Sequence, residues 1–294
     1  MSVRLQSAAR KIISGATLRT ANPLHVLIVG AGYAGLALAQ GLRLAGVSCA
    51  LYEAQRSRSD GSGDFRVAID AMGVRALKEC LPPDLFAAFL VSGASMPRHP
   101  SVTPGRRPLR VLLLSGLAEH VHWGKTFTHY ERGTDGTVTG FFTDGDCAAG
   151  QLLVAADGAR SAVRAQYRRE LIPRRHLDIH RFRAVKDPAA AFPLQMAAAE
   201  QAPAWQAGNV TLVGDAIHAV TPGPRAGANT ALRAAMLLSR ALSFVQADRV
   251  GLDNAIAAYE TEMVRFNPEQ ARRRGLGGSQ IRRRRPRGDA ETVS

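Results

Sequence analysis

Three glycines, Gly30, Gly32 and Gly35, and a glutamate, Glu53, have the clearest chemical reading in this chain. The run Gly30-Ala31-Gly32-Tyr33-Ala34-Gly35 closes an apolar, β-branched stretch at 24–29. It opens a segment whose leucines, Leu36, Leu38, Leu42 and Leu44, recur at helical spacing. In that setting each glycine has a separate task. Gly30 permits a tight turn out of the strand, Gly32 lets a pyrophosphate approach the backbone at the positive end of a helix, and Gly35 lets that helix lie close on the strand. Gly46 stops the helix. A second strand, 47–52, then delivers Glu53, 21 residues beyond Gly32, where a carboxylate takes the ribose hydroxyls of an adenine dinucleotide.

Two more carboxylates sit where strands end. Asp157 follows the apolar run 152–156, and Asp215 follows 209–213 and Gly214, at the edge where α/β sheets bind ligands. A Pro/Gly-rich loop, 218–227, ends at Gly227 and leads to a helix predicted from near Asn229. Asn229 or Thr230 caps that helix, and Leu232, Ala235, Leu238 and Leu242 form its core face. A helix N-terminus beside such a turn favours electron-rich groups, including the pyrimidine edge of a flavin, which gains negative charge on reduction. Leucines 109, 112, 113 and 117 predict one helix over 106–122. Arg106 and Arg107 stand at its start, where cations oppose the helix dipole; they face an anionic ligand or form a solvated corner.

Other chemistries lack their residues. The pairs His120/His122 and His176/His180 have no further ligands for a metal site and read as packing or surface histidines. There is no serine elbow and no paired nucleophile and base, which excludes a hydrolase. No catalytic side chain and no metal ligand is assigned. His218, near Asp215, is a residue that could orient the loop.

The 294 residues are 46% hydrophobic, enough for one large or two modest domains with a core. Cys49, Cys80 and Cys147 lie far apart without CxxC spacing, so no disulfide framework is expected and a reducing compartment fits. No transmembrane segment is expected, because the longest apolar stretch is short and broken by glycines. The net charge of +14 resides mainly in the ends: residues 1–22 hold four basic groups and no acid, and 265–294 nine arginines against three acids. Specific nucleic-acid binding is therefore not expected. Residues 1–22 read as a basic leader, either a bland lead-in, with the chain cytoplasmic, or a mitochondrial targeting segment. Between the glycine unit and the later motifs, 65–69 could be a short strand, 73–80 a helix, and 84–90 a helical turn with Asp84 as N-cap. Segments 125–131 and 138–143 form a hairpin around the turn 132–136, and 252–265 is a closing amphipathic helix.

Taken together, GAGYAGLALA with Glu53, VAADGARSAVR, and VTLVGDAIHAVTPGPRAGANTALRAA resemble the FAD-dependent aromatic hydroxylases, the flavoprotein monooxygenases that include p-hydroxybenzoate and salicylate hydroxylases, with fungal-type members most similar. The resemblance covers about 24–265. It implies an α/β fold: a Rossmann-like FAD-binding domain, three-layered with a mostly parallel sheet, and a truncated substrate-binding β-sheet. It implies FAD-domain parts at 23–164 and 205–266 and a substrate-region remnant at 165–204; beyond it, the composition of 267–294 reads as a disordered arginine-rich tail. Gly30, Gly32, Gly35 and Glu53 would hold the ADP half of FAD, and Arg106, in an Arg-x-x-Leu pattern, would contact FAD. Asp157 is linked to the FAD and NADPH pyrophosphates, Gly214 and Asp215 to the ribityl chain, and Gly227 and Asn229 to the loop against the isoalloxazine. In such enzymes NADPH reduces the flavin and one atom of O2 is transferred to a small aromatic substrate.

Three departures matter. Arg225 stands where the family usually has glycine, Ala234 replaces a usual aspartate, and Asp215 follows Asp157 by only 58 positions, where the family inserts substrate-covering strands. The alternative is therefore a noncatalytic FAD-binding protein that has lost its substrate domain. Substrate identity, NADH versus NADPH and oligomeric state are not legible in the sequence.

Overall fold

In a computed structural model, the described residues are 24–58, 66–95, 101–171, 208–217 and 226–265. The apolar run at 24–29 forms β1 (His25–Val29), and the glycine turn leads into α1 (Tyr33–Leu44), then β2 (Ser48–Glu53). Further on come α2 (Ala71–Cys80), α3 (Pro83–Val91), β3 (Gly93–Ser95), β4 (Val102–Pro104) and α4 (Arg106–Leu113). β5 (Val121–Trp123), β6 (Phe127–Arg132), β7 (Val138–Phe142), β8 (Cys147–Gly150), β9 (Leu152–Ala155) and α5 (Ala162–Leu171) follow. β10 (Val210–Leu212), α6 (Ala226–Gln246) and α7 (Leu252–Arg265) are the last described elements.

Five strands make a parallel sheet in the order β10-β9-β1-β2-β5, with Val29 level with Tyr52 on one side and Ala155 on the other. As the middle strand, β1 is covered on both faces, which is why it reads as a continuous apolar run. Val26 and Ile28, with Leu51, Leu152 and Val154, pack in the same core as α1, α2 and α6. Leu27 and Val29, with Leu153, Ala155 and Leu212, join Phe127, Tyr130, Val138 and Phe142 of the antiparallel β6-β7-β8 sheet and Val163 and Tyr167 of α5. The result is three layers: helices, parallel sheet, antiparallel meander. Each large side chain buried this way contributes roughly 1.5–3 kcal/mol relative to exposure.

α1 is packed on almost every side, with residues 34–42 all buried. Its Gly41 meets α6 so closely that a Cβ there would run into the Ser239 hydroxyl. Gln40, fully buried, donates from Nε2 to the carbonyls of Leu113 and Ser115, each at 2.8 Å, satisfying the end of α4. Among the described residues, no helix is long and apolar enough to cross a membrane.

Several expectations need correction. The helix over 106–122 ends at Leu113, and the chain turns through Gly116 at φ +72° before β5 pairs with β2 at Leu51 and Val121. Leu112, Leu113 and Leu117 are buried as the periodicity required, but the positive-φ turn and the strand pairing overrode the helix. Asp84 is not the N-cap of α3; Pro82 holds that position and Pro83 opens the helix. In the 65–69 segment the described residues make only two isolated bridges, Arg66 to Gly105 and Ile69 to Val102. α5 runs without a break across 164/165, so residues 165–171 continue a helix that packs with the β6-β7-β8 meander. The rest of the 165–204 segment, the leader 1–22, the tail 267–294, His176, His180, His218 and Arg225 lie outside the described residues.

α7 seals the β10 edge. Tyr259 donates from its hydroxyl to the Leu212 carbonyl at 2.8 Å, and Thr211 donates to Glu260 Oε1 at 2.8 Å. Glu260 is 3% exposed, its Oε2 has no partner among the described residues, and burial pushes its carboxyl up from 4.5 to about 7. A carboxyl whose folded pKa is raised favours the folded state when protonated. Stability should therefore fall as pH rises from about 4.5 to about 7 and level off above that. Urea unfolding at pH 5 and pH 8 should show Glu260→Gln gaining on the wild type at the higher pH, by at most about 3 kcal/mol. An equal difference at both pH values would contradict it.

Candidate functional site

The site forms at the carboxyl edge of the parallel sheet, where the turns after β1, β9 and β10 meet. Gly30 leaves β1 at φ +106°, and a Cβ on it would lie 2.5 Å from the Ala156 carbonyl oxygen, at the end of the neighbouring strand. A Cβ on Gly35 would overlap the Gly30 carbonyl oxygen. Gly32 is different: it occupies the N-cap of α1, and a Cβ there would meet nothing within 4 Å among the described residues. The space beside Gly32 is open among the described residues. α1 has no side-chain cap and no acid in its first turn, so its positive end is not compensated by its own helix.

Glu53 ends β2 against that turn. Its Oε2 accepts from the Ala31 N–H at 2.6 Å and its Oε1 from the Gln55 N–H at 2.9 Å. The carboxylate is thereby held beside a cavity that Ala31, Gly32, Tyr33, Gln55, Arg106 and Arg110 also line. The two arginines are one turn apart on α4, hence on one face. The Arg106 guanidinium lies 6.0 Å from the centroid of the Tyr33 ring, and the Tyr33 hydroxyl donates to the Arg106 carbonyl at 3.4 Å. Burial raises the Tyr33 hydroxyl above its ordinary pKa, partly offset by Arg106.

Asp157 lies beyond β9. Its Oδ2 accepts from the N–H groups of Ala162 at 2.8 Å and Val163 at 3.4 Å, so it caps α5, a role the sequence did not suggest. Its Oδ1 is buried without a partner among the described residues, and burial raises the carboxyl's pKa. Gly214 turns at φ +62°, where a Cβ would press within 2.8 Å of Ala34 Cβ in α1. Asp215 follows it, exposed, and a Cβ on Gly227 would sit 3.4 Å from Asp215 Oδ1. The anticipated carboxylate beside a helix start is therefore present.

Gly227 and Asn229 are within α6, not in a loop, because α6 begins at Ala226, and Asn229 is not its cap. Asn229 is 1% exposed; its Oδ1 accepts from the Asp70 N–H and its Nδ2 donates to the Ala68 carbonyl, both at 3.0 Å. Its amide fixes α6 to the chain entering α2, and Gly73 leaves room for it. Arg164 was also missed. It donates to the carbonyls of Asp215 at 3.1 Å and Ala216 at 2.8 Å, and to that of Ala159, joining the turns that carry Asp157 and Asp215. Its place inside the VAADGARSAVR run was the available signal. His120 binds the Cys49 carbonyl and His122 stacks on Tyr52; among the described residues no cluster suited to a metal occurs.

A parallel sheet with a glycine turn, an open helix N-terminus and a strand-end glutamate defines a dinucleotide-binding α/β protein. The chain belongs to the FAD-binding domain family: a family model described as "FAD binding domain" matches residues 23–68 and 166–271, more than half of the chain. It is 30% identical over 173 residues to a dual O-methyltransferase/FAD-dependent monooxygenase of Phaeosphaeria nodorum, covering 49% of this chain and 19% of that one. With an FAD-dependent monooxygenase of Emericella nidulans it shares 33% identity over 172 residues, covering 50% and 43%. The chain spans less than half the length of these curated relatives. Among solved structures, a Photorhabdus luminescens protein described as an FAD-containing monooxygenase matches with a TM-score of 0.69 at 25% identity, covering 86% of this chain and 98% of that one. Klebsiella pneumoniae HpxO, complexed with FAD and uric acid, has the same fold at TM-score 0.60 and 18% identity, covering 82% and 84%.

The residues present fit FAD. Gly30 and Gly35 are explained by contacts within the chain, whereas no contact among the described residues accounts for Gly32, and the open space at the N-cap of α1 suits a pyrophosphate.

Proposed function

We propose that this chain acts as an FAD-dependent monooxygenase that uses NAD(P)H and O2 to hydroxylate a small aromatic or polyketide-like molecule. The observation that carries the reading is the convergence of the three strand-end turns on one open helix N-terminus, in a chain whose relatives are named FAD-dependent monooxygenases. FAD, when bound, supplies hydride acceptance and the activation of O2.

The chain's own residues bind and orient. The first turn of α1, at Gly32, takes the pyrophosphate, Glu53 takes ribose hydroxyls, and Arg106 adds positive charge beside them. Gly30 and Gly35 hold the turn and α1 in place. Asp157 fixes the start of α5, from which Arg164 steadies the turn bearing Gly214 and Asp215. Asp215 and Gly227, adjacent at the start of α6, suit the polar chain of the flavin, and Asn229 positions α6. No side chain is assigned as acid or base.

A noncatalytic FAD-binding protein is the second reading, favoured by the interval of only 58 positions between Asp157 and Asp215. Turnover under 18O2 with NADPH and a panel of phenols separates the two. The first predicts substrate-stimulated NADPH oxidation and one labelled oxygen in the product; flavin-loaded protein that incorporates no label with any substrate supports the second. We place the protein in the cytoplasm or, through its basic leader, in mitochondria, with no specific nucleic-acid partner.

A further inference from the structure

α3 is apolar nearly all round. The single charged residue of Pro83–Val91 is Asp84, in the first turn, and a helix of that composition is normally covered on every side. This one is not. Phe89 is fully buried, but Leu90 is 42% and Val91 85% exposed, two consecutive apolar side chains at the tip of the helix. Ser92 ends it there, its hydroxyl donating to the Phe89 carbonyl at 2.7 Å. The chain then brings that tip to a basic surface. Gly93 pairs with Pro104 across β3 and β4, so closely that a Cβ on Gly93 would lie 2.7 Å from the Pro104 nitrogen. The end of α3 therefore lies beside the start of α4. The leucines of α4 face the core, Arg106 and Arg110 line the cofactor cavity, and Arg107 and Val111, one turn apart, are both exposed. Arg58, from the segment after β2, donates to the Val111 carbonyl at 3.4 Å and adds a second exposed guanidinium. No acid interrupts this stretch: residues 85–118 include four arginines and no aspartate or glutamate.

We propose that the tip of α3 and the outer face of α4 form a docking surface for an anionic membrane, Leu90 and Val91 entering the acyl boundary while Arg107 and Arg58 meet lipid phosphates. Two features select lipid over a protein partner. The apolar part is a pair of side chains projecting from a helix end, not the broad, closely fitting patch of a protein interface. The charge around it has one sign, and a layer of anionic headgroups supplies phosphates at any spacing directly above an apolar interior. Apolar insertion and headgroup attraction are each weak alone, and binding strength scales with their sum. The surface lies on the outside of α4, away from the cavity side that carries Arg106 and Arg110, so docking there leaves the cofactor cavity uncovered.

The basic ends, 1–22 and 265–294, would by themselves draw the full chain to anionic vesicles, so the test reads which part of the molecule meets the lipid. An environment-sensitive fluorophore is attached at position 91 through Val91→Cys in a Cys147→Ser background. For comparison it is attached to Cys147 of the wild type, which is exposed on β8 in the meander, the layer opposite the helices; Cys49 and Cys80 are buried. With vesicles of phosphatidylcholine and phosphatidylserine, the label at 91 should brighten and shift to the blue and the label at 147 should not. Neither should respond to phosphatidylcholine alone. Unlabelled Leu90→Ser/Val91→Ser protein should bind the mixed vesicles at least about tenfold more weakly in sedimentation, and Arg107→Gln about fivefold more weakly. A label at 91 that stays in water while the chain binds, or an equal response at both positions, overturns the proposal and leaves adsorption through the basic ends. Absence of binding to the mixed vesicles overturns it as well.

Discussion

Replacing Gly32 with valine should abolish FAD uptake while leaving the fold intact. Among the described residues a Cβ at Gly32 meets no atom within 4 Å, so a side chain there starts in open space. It projects into the space at the N-cap of α1, where the backbone N–H groups of the first turn must approach the pyrophosphate. An isopropyl group there keeps the phosphate oxygens beyond hydrogen-bonding distance. The expected loss is at least about a hundredfold in affinity, close to 3 kcal/mol. Unfolding free energies of the FAD-free proteins should agree to within about 1 kcal/mol, the scale of an N-cap substitution, and titration followed by flavin fluorescence should show no saturable binding by the variant. Normal FAD affinity in Gly32→Val would mean that the pyrophosphate lies elsewhere.

The opposite pattern is expected at Gly35, three residues along the same helix. Even alanine places a Cβ on the Gly30 carbonyl oxygen, and Gly30 is itself wedged against Ala156 with a positive φ. None of these atoms is the end of a flexible side chain. α1 would have to lift from the sheet, separating it from the α6 contact at Gly41 and from the Gln40 bonds that hold α4. Gly35→Ala should cost on the order of 3 kcal/mol or more in the absence of any ligand. A urea midpoint equal to that of the wild type would refute the close packing of α1 on the turn. The pair of variants separates the two roles of the motif, ligand approach at Gly32 and helix packing at Gly35.

The parts of the molecule that were legible are those whose causes are local. The β1–α1–β2 unit combines a short apolar strand, glycines at the turn and a 3.6-residue period, all within thirty positions, and α7 was expected over the range it occupies. Glu53 was legible because the strand length fixes where it emerges. α4 was overextended because its leucine period continues past the helix: Leu117 is buried from a turn instead, and only the pairing of β5 with β2, seventy residues away in sequence, decides where the helix stops. Asn229 was misread for a related reason. Its partners, Ala68 and Asp70, are about 160 positions earlier, and without them an asparagine near a helix start reads as a cap. Arg164 and Glu260 likewise act through partners on other elements, Asp215 and Ala216 for one and Thr211 for the other. Spacing in the sequence carries no trace of those pairings.

The most direct test is the visible spectrum of the purified protein, recorded before and after FAD is added and again after NADPH is added without oxygen. A perturbed flavin band that saturates at one FAD per chain and bleaches with NADPH is the result expected if the glycine turn, Glu53 and the joined strand ends form a working flavin site. A protein that remains colourless, with added FAD keeping the spectrum it has free in solution, would contradict the account.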